Sequence, residues 1–156
     1  MGREVRKVPS DWKHPKGYGE KYDPLYEGFA AALAGFKSDV ESMGWKEALG
    51  YHGGGPNPDS YMPDWTIEER THYQMYEDTS EGTPISPVME TPESLAQWLA
   101  DNGASSFGRS TATYEQWLPI CNGGFAPSMV VTGGSVMSGV EAMLVDKDQR
   151  NDNENK

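Results

Sequence analysis

Between Tyr51 and Pro63 the chain reads Tyr-His-Gly-Gly-Gly-Pro-Asn-Pro-Asp-Ser-Tyr-Met-Pro. Three glycines and three prolines in thirteen positions exclude regular structure there, because proline lacks an amide donor and glycine loses much freedom in any fixed conformation. The same punctuation recurs along the chain, which holds 18 glycines and 11 prolines among 156 residues at an apolar fraction of 36%. Long loops must therefore surround a small core. A chain of this length supports about one domain and buries roughly two thirds of the surface it exposes when unfolded. The expectation is a small, loop-rich α+β domain with three to four helices, a C-terminal β-hairpin and an extended N-terminal arm. The arm is assigned to 1–23, the globular domain to 24–145 and a disordered tail to 146–156, where charged and amide side chains follow one another without an apolar one.

Local patterns place the elements. In Leu25–Leu49, Phe29, Leu33, Phe36 and Val40 recur at helical spacing among alanines, which predicts a helix that breaks at Gly35 or at Met43-Gly44 and stops at Gly50. Thr66 followed by Glu69 matches a capping box and predicts a helix over 67–77. Gly82–Met89 interleaves prolines with Ile85 and Val88, as an edge strand does. Thr91-Pro92-Glu93 opens a helix that ends at Asn102-Gly103, with Leu95, Trp98 and Leu99 on its apolar stripe. Thr113 and Gln116 cap a short helix carrying Trp117 and Leu118 and interrupted at Pro119. Met129–Thr132 and Ser135–Ser138 flank Gly133-Gly134, the one strong hairpin signal.

Charge is lopsided. Residues 1–22 carry six bases (Arg3, Arg6, Lys7, Lys13, Lys16, Lys21) against three acids, whereas the other 134 residues carry seven bases against 21 acids. Ten acids and the single base Arg70 lie between Asp59 and Asp101. A field of that sign repels phosphates, so direct binding of DNA or RNA by the body is not expected. Cys121 is the only cysteine, which fits a reducing cytoplasm. The opening residues lack an apolar h-region, no apolar run approaches a membrane span, and Met1-Gly2 is followed by Arg6 where a myristoylation signal needs Ser or Thr.

No motif compels a chemistry. His52-Gly53-Gly54-Gly55 has the composition of an esterase oxyanion loop, but no Gly-x-Ser-x-Gly exists and His72 is the last histidine. Glu69-x-x-His72 has di-iron spacing in a single copy, and His14, His52, His72 and Asp59 are too dispersed for a ligand signature. Cys121 has no base nearby in sequence, and neither Gly123-Gly124 nor Gly133-Gly134 leads into Gly-Lys-Ser/Thr. No metal and no cofactor is implied. Aromatic rings do recur in polar loops, at Trp12, Tyr18, Tyr22, Tyr51, Tyr61 and Trp65, either as core cover or as anchors for a partner.

The opening Gly2-Arg3-Glu4-Val5-Arg6-Lys7-Val8-Pro9, with Trp12 and His14-Pro15-Lys16, resembles a group of uncharacterised bacteriophage and prophage proteins. Tyr61–Trp65, Glu69–Tyr76, Gly82–Pro87 and Trp98–Ala104 are similar to the same group. The resemblance implies a phage origin and a bacterial host cytoplasm, and no mechanism. With the charge, it leads to the expectation of a non-enzymatic accessory protein that binds a basic surface on a host or defence protein, in the manner of an anti-CRISPR or anti-restriction inhibitor. The expected contact residues are the acids Asp59, Asp64, Glu68, Glu69, Glu77, Asp78 and Glu81 and the rings Tyr51, Tyr61 and Trp65. Two alternatives stay open: a small enzyme or ligand-binding protein using His52–Gly55 and Arg109, and a regulator of phage gene expression or assembly. Self-association is also left open.

Overall fold

A computed structural model describes residues 2–77, 82–132 and 134–142. It shows an α+β protein whose residues group into two compact units, one of Met1–Asp23 with Ile67–Lys156 and the other of Pro24–Thr66. The expected tail over 146–156, Asp78, Glu81 and Gly133 of the Gly-Gly turn lie outside the described residues.

In the larger unit the N-terminal segment is a sheet strand. β1 (Arg3–Val8) pairs antiparallel along its whole length with β2 (His72–Glu77), and on its other side with β6 (Phe125–Ala126). β3 (Thr83–Pro84) closes the sheet beyond β2, giving the order β3-β2-β1-β6. The edge position predicted for Gly82–Met89 is what the prolines require, and Met89 exchanges two 2.8 Å backbone bonds with Tyr73 further along.

The helix predicted over 67–77 is absent: residues 67–69 form a turn and His72–Glu77 is β2. The cause lies in what covers the strand. Tyr73 and Met75 face the helical core with Val5, while Gln74 and Tyr76 face the opposite side with Arg6, and both sides are covered. Gln74, Met75 and Tyr76 are consequently all buried, and the polar-apolar alternation that marks a strand with one wet face is lost.

α3 (Pro92–Asp101) and α4 (Tyr114–Cys121) form where predicted, each with a capping box, Thr91 with Ser94 and Thr113 with Gln116. α4 runs through Pro119 without breaking. They pack on each other and on the sheet, placing Leu95, Leu99, Trp117, Ile120 and Met75 in one core. Two hairpins complete the unit, β4 (Ser105–Phe107) with β5 (Ser110–Thr111), and β7 (Met129–Thr132) with β8 (Ser135–Ser138) in the predicted register. A further helix begins at Gly139, capped by the Ser138 hydroxyl and the Glu141 carboxylate, and is described as far as Ala142.

The smaller unit consists of α1 (Phe29–Met43), α2 (Trp45–His52) and the loop that follows. The break falls at Gly44, whose φ of 90° excludes a helical L-residue. Gly50 does not end α2. The helix continues to His52 and stops at Gly53, in left-handed conformation at φ 67°. Beyond it the chain is irregular apart from one 3₁₀ turn at Pro58–Ser60. Leu25, Phe36, Ala48 and Met62 are its buried apolar side chains, with Phe36 edge-on to the rings of Trp45 and His52 at 5.6 and 5.5 Å.

Candidate functional site

Residues 9–23 and the edge of the sheet enclose a cleft of about 870 Å³ in the larger unit, lined among others by Trp12, Lys13, His14, Lys16, Tyr22 and Trp98. Its floor is a hydrogen-bonded network centred on Tyr76, which is fully buried. The Trp12 indole N–H donates to the Tyr76 oxygen at 3.1 Å, His14 Nδ1 lies 3.1 Å from the same oxygen, and the Tyr76 hydroxyl donates to Gln74 Oε1 at 2.9 Å. Gln74 Nε2 donates to the Ser86 carbonyl at 2.9 Å, and His14 Nε2 donates to the Asp23 carbonyl at 2.6 Å. The Arg6 guanidinium stacks over the Tyr76 ring at 4.4 Å. Burial pushes the His14 pKa below its ordinary value, the hydrogen bond to Asp23 opposes that shift, Arg6 reinforces it, and the charge of Asp23 opposes it.

This network explains the fate of the basic arm. Arg3 and Arg6 are buried, 3% and 4% exposed, and their charges serve the fold. Arg3 reaches the Ser105 carbonyl at 2.8 Å and lies 3.9 Å from Glu77. Desolvation lowers its pKa, against the pull of Glu77. Lys13, Lys16 and Lys21 remain exposed.

The acidic residues singled out in the sequence divide between the units. Asp59 and Asp64 are exposed in the smaller one, and Glu68 and Glu69 are exposed in the larger. Glu77 turns toward Arg3 and is largely covered. Among the rings, Tyr51 is 77% exposed, whereas Tyr61 is half-buried against Phe29 (5.4 Å) and Tyr26 (6.0 Å), and Trp65 is half-buried. Trp45 and Tyr26, 61% and 51% exposed, join Tyr51 as solvent-facing rings that the sequence reading did not single out.

His52 Nε2 lies 2.7 Å from Asp39 Oδ2, at a hollow of about 330 Å³ that Gly54, Gly55 and Phe36 help to line. Nothing in the sequence signalled this pair, since Asp39 and His52 belong to helices separated by the Gly44 break. Arg109 is exposed at the turn between β4 and β5, in the other unit from His52–Gly55. The Cys121 thiol is fully buried, and desolvation raises its pKa to about 12, which keeps the thiolate nucleophile from forming. His72 meets Thr71 at 2.9 Å, and among the described residues no group of three or more metal-ligating side chains could hold an ion. No helix among them is long and apolar enough to cross a membrane.

Comparison with family models, with curated proteins and with solved structures finds no match to this chain.

Proposed function

We propose that the chain is a non-enzymatic binding protein of phage origin that engages a basic surface on a host or defence protein through its Pro24–Thr66 unit. The observation that carries the reading is the exposure of Tyr51, Trp45 and Tyr26 on a segment with six carboxylates and two lysines. Large exposed rings are costly to leave in water and are enriched at the centres of interfaces, and the surrounding acids select a partner of opposite charge. Inhibition of a nucleic-acid-binding defence protein is the most concrete form, because such a protein presents a basic surface. The phage setting rests on the resemblance of the opening and of the 61–65, 69–76, 82–87 and 98–104 stretches.

The test is affinity capture from bacterial lysate with the tagged protein, run beside a Tyr51→Ala/Trp45→Ala variant and an Asp59→Lys/Asp64→Lys variant. A partner held by the wild type and lost by both folded variants supports the reading. A partner held equally by all three sinks it. The His52–Asp39 pair favours a second reading, ligand binding or catalysis in the hollow, since a carboxylate orients the imidazole as it does for a general base. That reading requires His52→Ala to abolish function while leaving capture and folding intact.

A further inference from the structure

Counting protons in the Tyr76 network leaves one position undetermined. Gln74 Nε2 must face the Ser86 carbonyl, because the flipped amide would set two acceptors against each other, so Gln74 Oε1 requires the Tyr76 proton. The Trp12 N–H takes one lone pair of the Tyr76 oxygen. The contact left over, His14 Nδ1 to that oxygen at 3.1 Å, is a hydrogen bond only if Nδ1 carries a proton. Nε2 already carries one, donated to the Asp23 carbonyl. Every bond in the network is therefore made only when His14 is an imidazolium.

The groups around His14 decide how readily that happens. Arg6 from β1 disfavours the charge, though Glu4 lies 3.6 Å from its guanidinium. Tyr76 from β2 and Tyr22, edge-on at 5.5 Å, set their rings against it. Asp23 favours the charge, yet burial outweighs it and holds His14 below its ordinary pKa. A further negative charge at the cleft favours the imidazolium.

The cleft is built to receive such a charge. Its lining contains two lysines and no carboxylate. Lys13 has no ion-pair partner among the described residues, and Lys16, over the Tyr22 ring at 5.4 Å, meets only the exposed Glu20 at 3.5 Å. Exposed pairs of that kind hold weakly and exchange readily. Trp12, fixed by its bond to Tyr76, together with Tyr22 and Trp98, offers flat apolar walls. Apart from His14 Nδ1, the floor's polar groups are occupied by one another, so recognition falls to rings and charge. The volume is that of a small-molecule site.

We propose that this cleft binds a small planar aromatic anion, with the ring between Trp12, Tyr22 and Trp98 and the charge at Lys13 and Lys16, and that binding is coupled to proton uptake by His14. A partner protein displaying such a group on a side chain would satisfy the same chemistry; the free small molecule is the ligand argued for here.

The probe is a naphthalene sulfonate, whose charge does not titrate, added to the full-length protein and followed by the indole N–H resonances of Trp12 and Trp98 and the ring signals of His14. Saturable shifts of both indoles are expected, with affinity rising as pH falls from 8 to 5.5, by at most about tenfold for each unit by which the bound probe raises the His14 pKa. Inorganic sulfate and naphthalene methanol, lacking the ring and the charge respectively, should bind at least about tenfold more weakly. Lys13→Gln/Lys16→Gln, at two exposed positions, should abolish the preference for the sulfonate over the alcohol. His14→Gln should bind the sulfonate with no pH dependence over that range. Absent indole shifts, or equal binding of sulfonate and alcohol by the wild type, overturn the site. Unchanged pH dependence in His14→Gln overturns the proton coupling.

Discussion

Replacing Tyr76 by Phe deletes one oxygen and keeps the ring over which Arg6 stacks. The deleted atom is the meeting point of Trp12, His14 and Gln74. Trp12 is half-exposed and can turn its N–H toward water, so its loss is small. Gln74 is 5% exposed and has no such recourse, whereas neutral His14, with no proton on Nδ1, gives up no hydrogen bond to this oxygen. A buried polar group left without its partner costs about 1–3 kcal/mol. Against a domain stability of about 5–15 kcal/mol that is a sizeable fraction, and for a chain of this size it lowers Tm by roughly 2–10 °C. Thermal unfolding followed by circular dichroism reads the change directly. A Tyr76→Phe protein melting within about 1 °C of the wild type would show that the hydroxyl is not the hub of the floor.

The depressed His14 pKa sets a pH dependence: below about 6.5 the unfolded chain takes up a proton that the fold resists, so the stability is present above that pH and lost as pH falls through it. Melts between pH 7.5 and 5.5 should show this loss in the wild type and a smaller one in His14→Gln. The Cys121 thiol, buried and raised to about 12, should resist iodoacetamide at pH 8 until denaturant is added; rapid labelling of the native protein would contradict its placement. Deleting residues 1–22 removes β1 and all six of its cross-strand partnerships with β2, so the truncated protein should show no cooperative transition. A melt overlaying the full-length curve refutes that.

What was legible in the sequence is what is local. Thr91 with Pro92, Thr113 with Gln116, the helical spacing of Phe29, Leu33, Phe36 and Val40, and the paired β-branched runs at 129–138 each carry their signal within a few residues, and each element forms. The central sheet is non-local. Arg3–Val8 was legible as extended chain, but its pairing with a strand some seventy residues on has no short-range mark. β2 was misread because Thr66 and Glu69 imitate a cap while burial on both faces erases the strand's alternation. The cleft was hidden for a related reason: Trp12 was visible as a loop ring, but only the fold brings Gln74 and Tyr76 beneath it. Of the expected acidic contacts, Glu77 could not be told from the exposed Glu68 and Glu69 before β1 set Arg3 opposite it.

The central claim, recognition of a basic protein surface by an acidic, ring-bearing unit, is tested most directly by the salt dependence of the association rate with the captured partner. Exposed charges are screened within about 10 Å at 0.1 M salt, so the wild-type association rate should fall steeply as salt is raised through that concentration. The Asp59→Lys/Asp64→Lys protein should associate slowly at every salt concentration with a flattened slope, its dissociation rate changing much less. A wild-type association rate indifferent to salt, and unchanged by the charge reversal, would contradict the account.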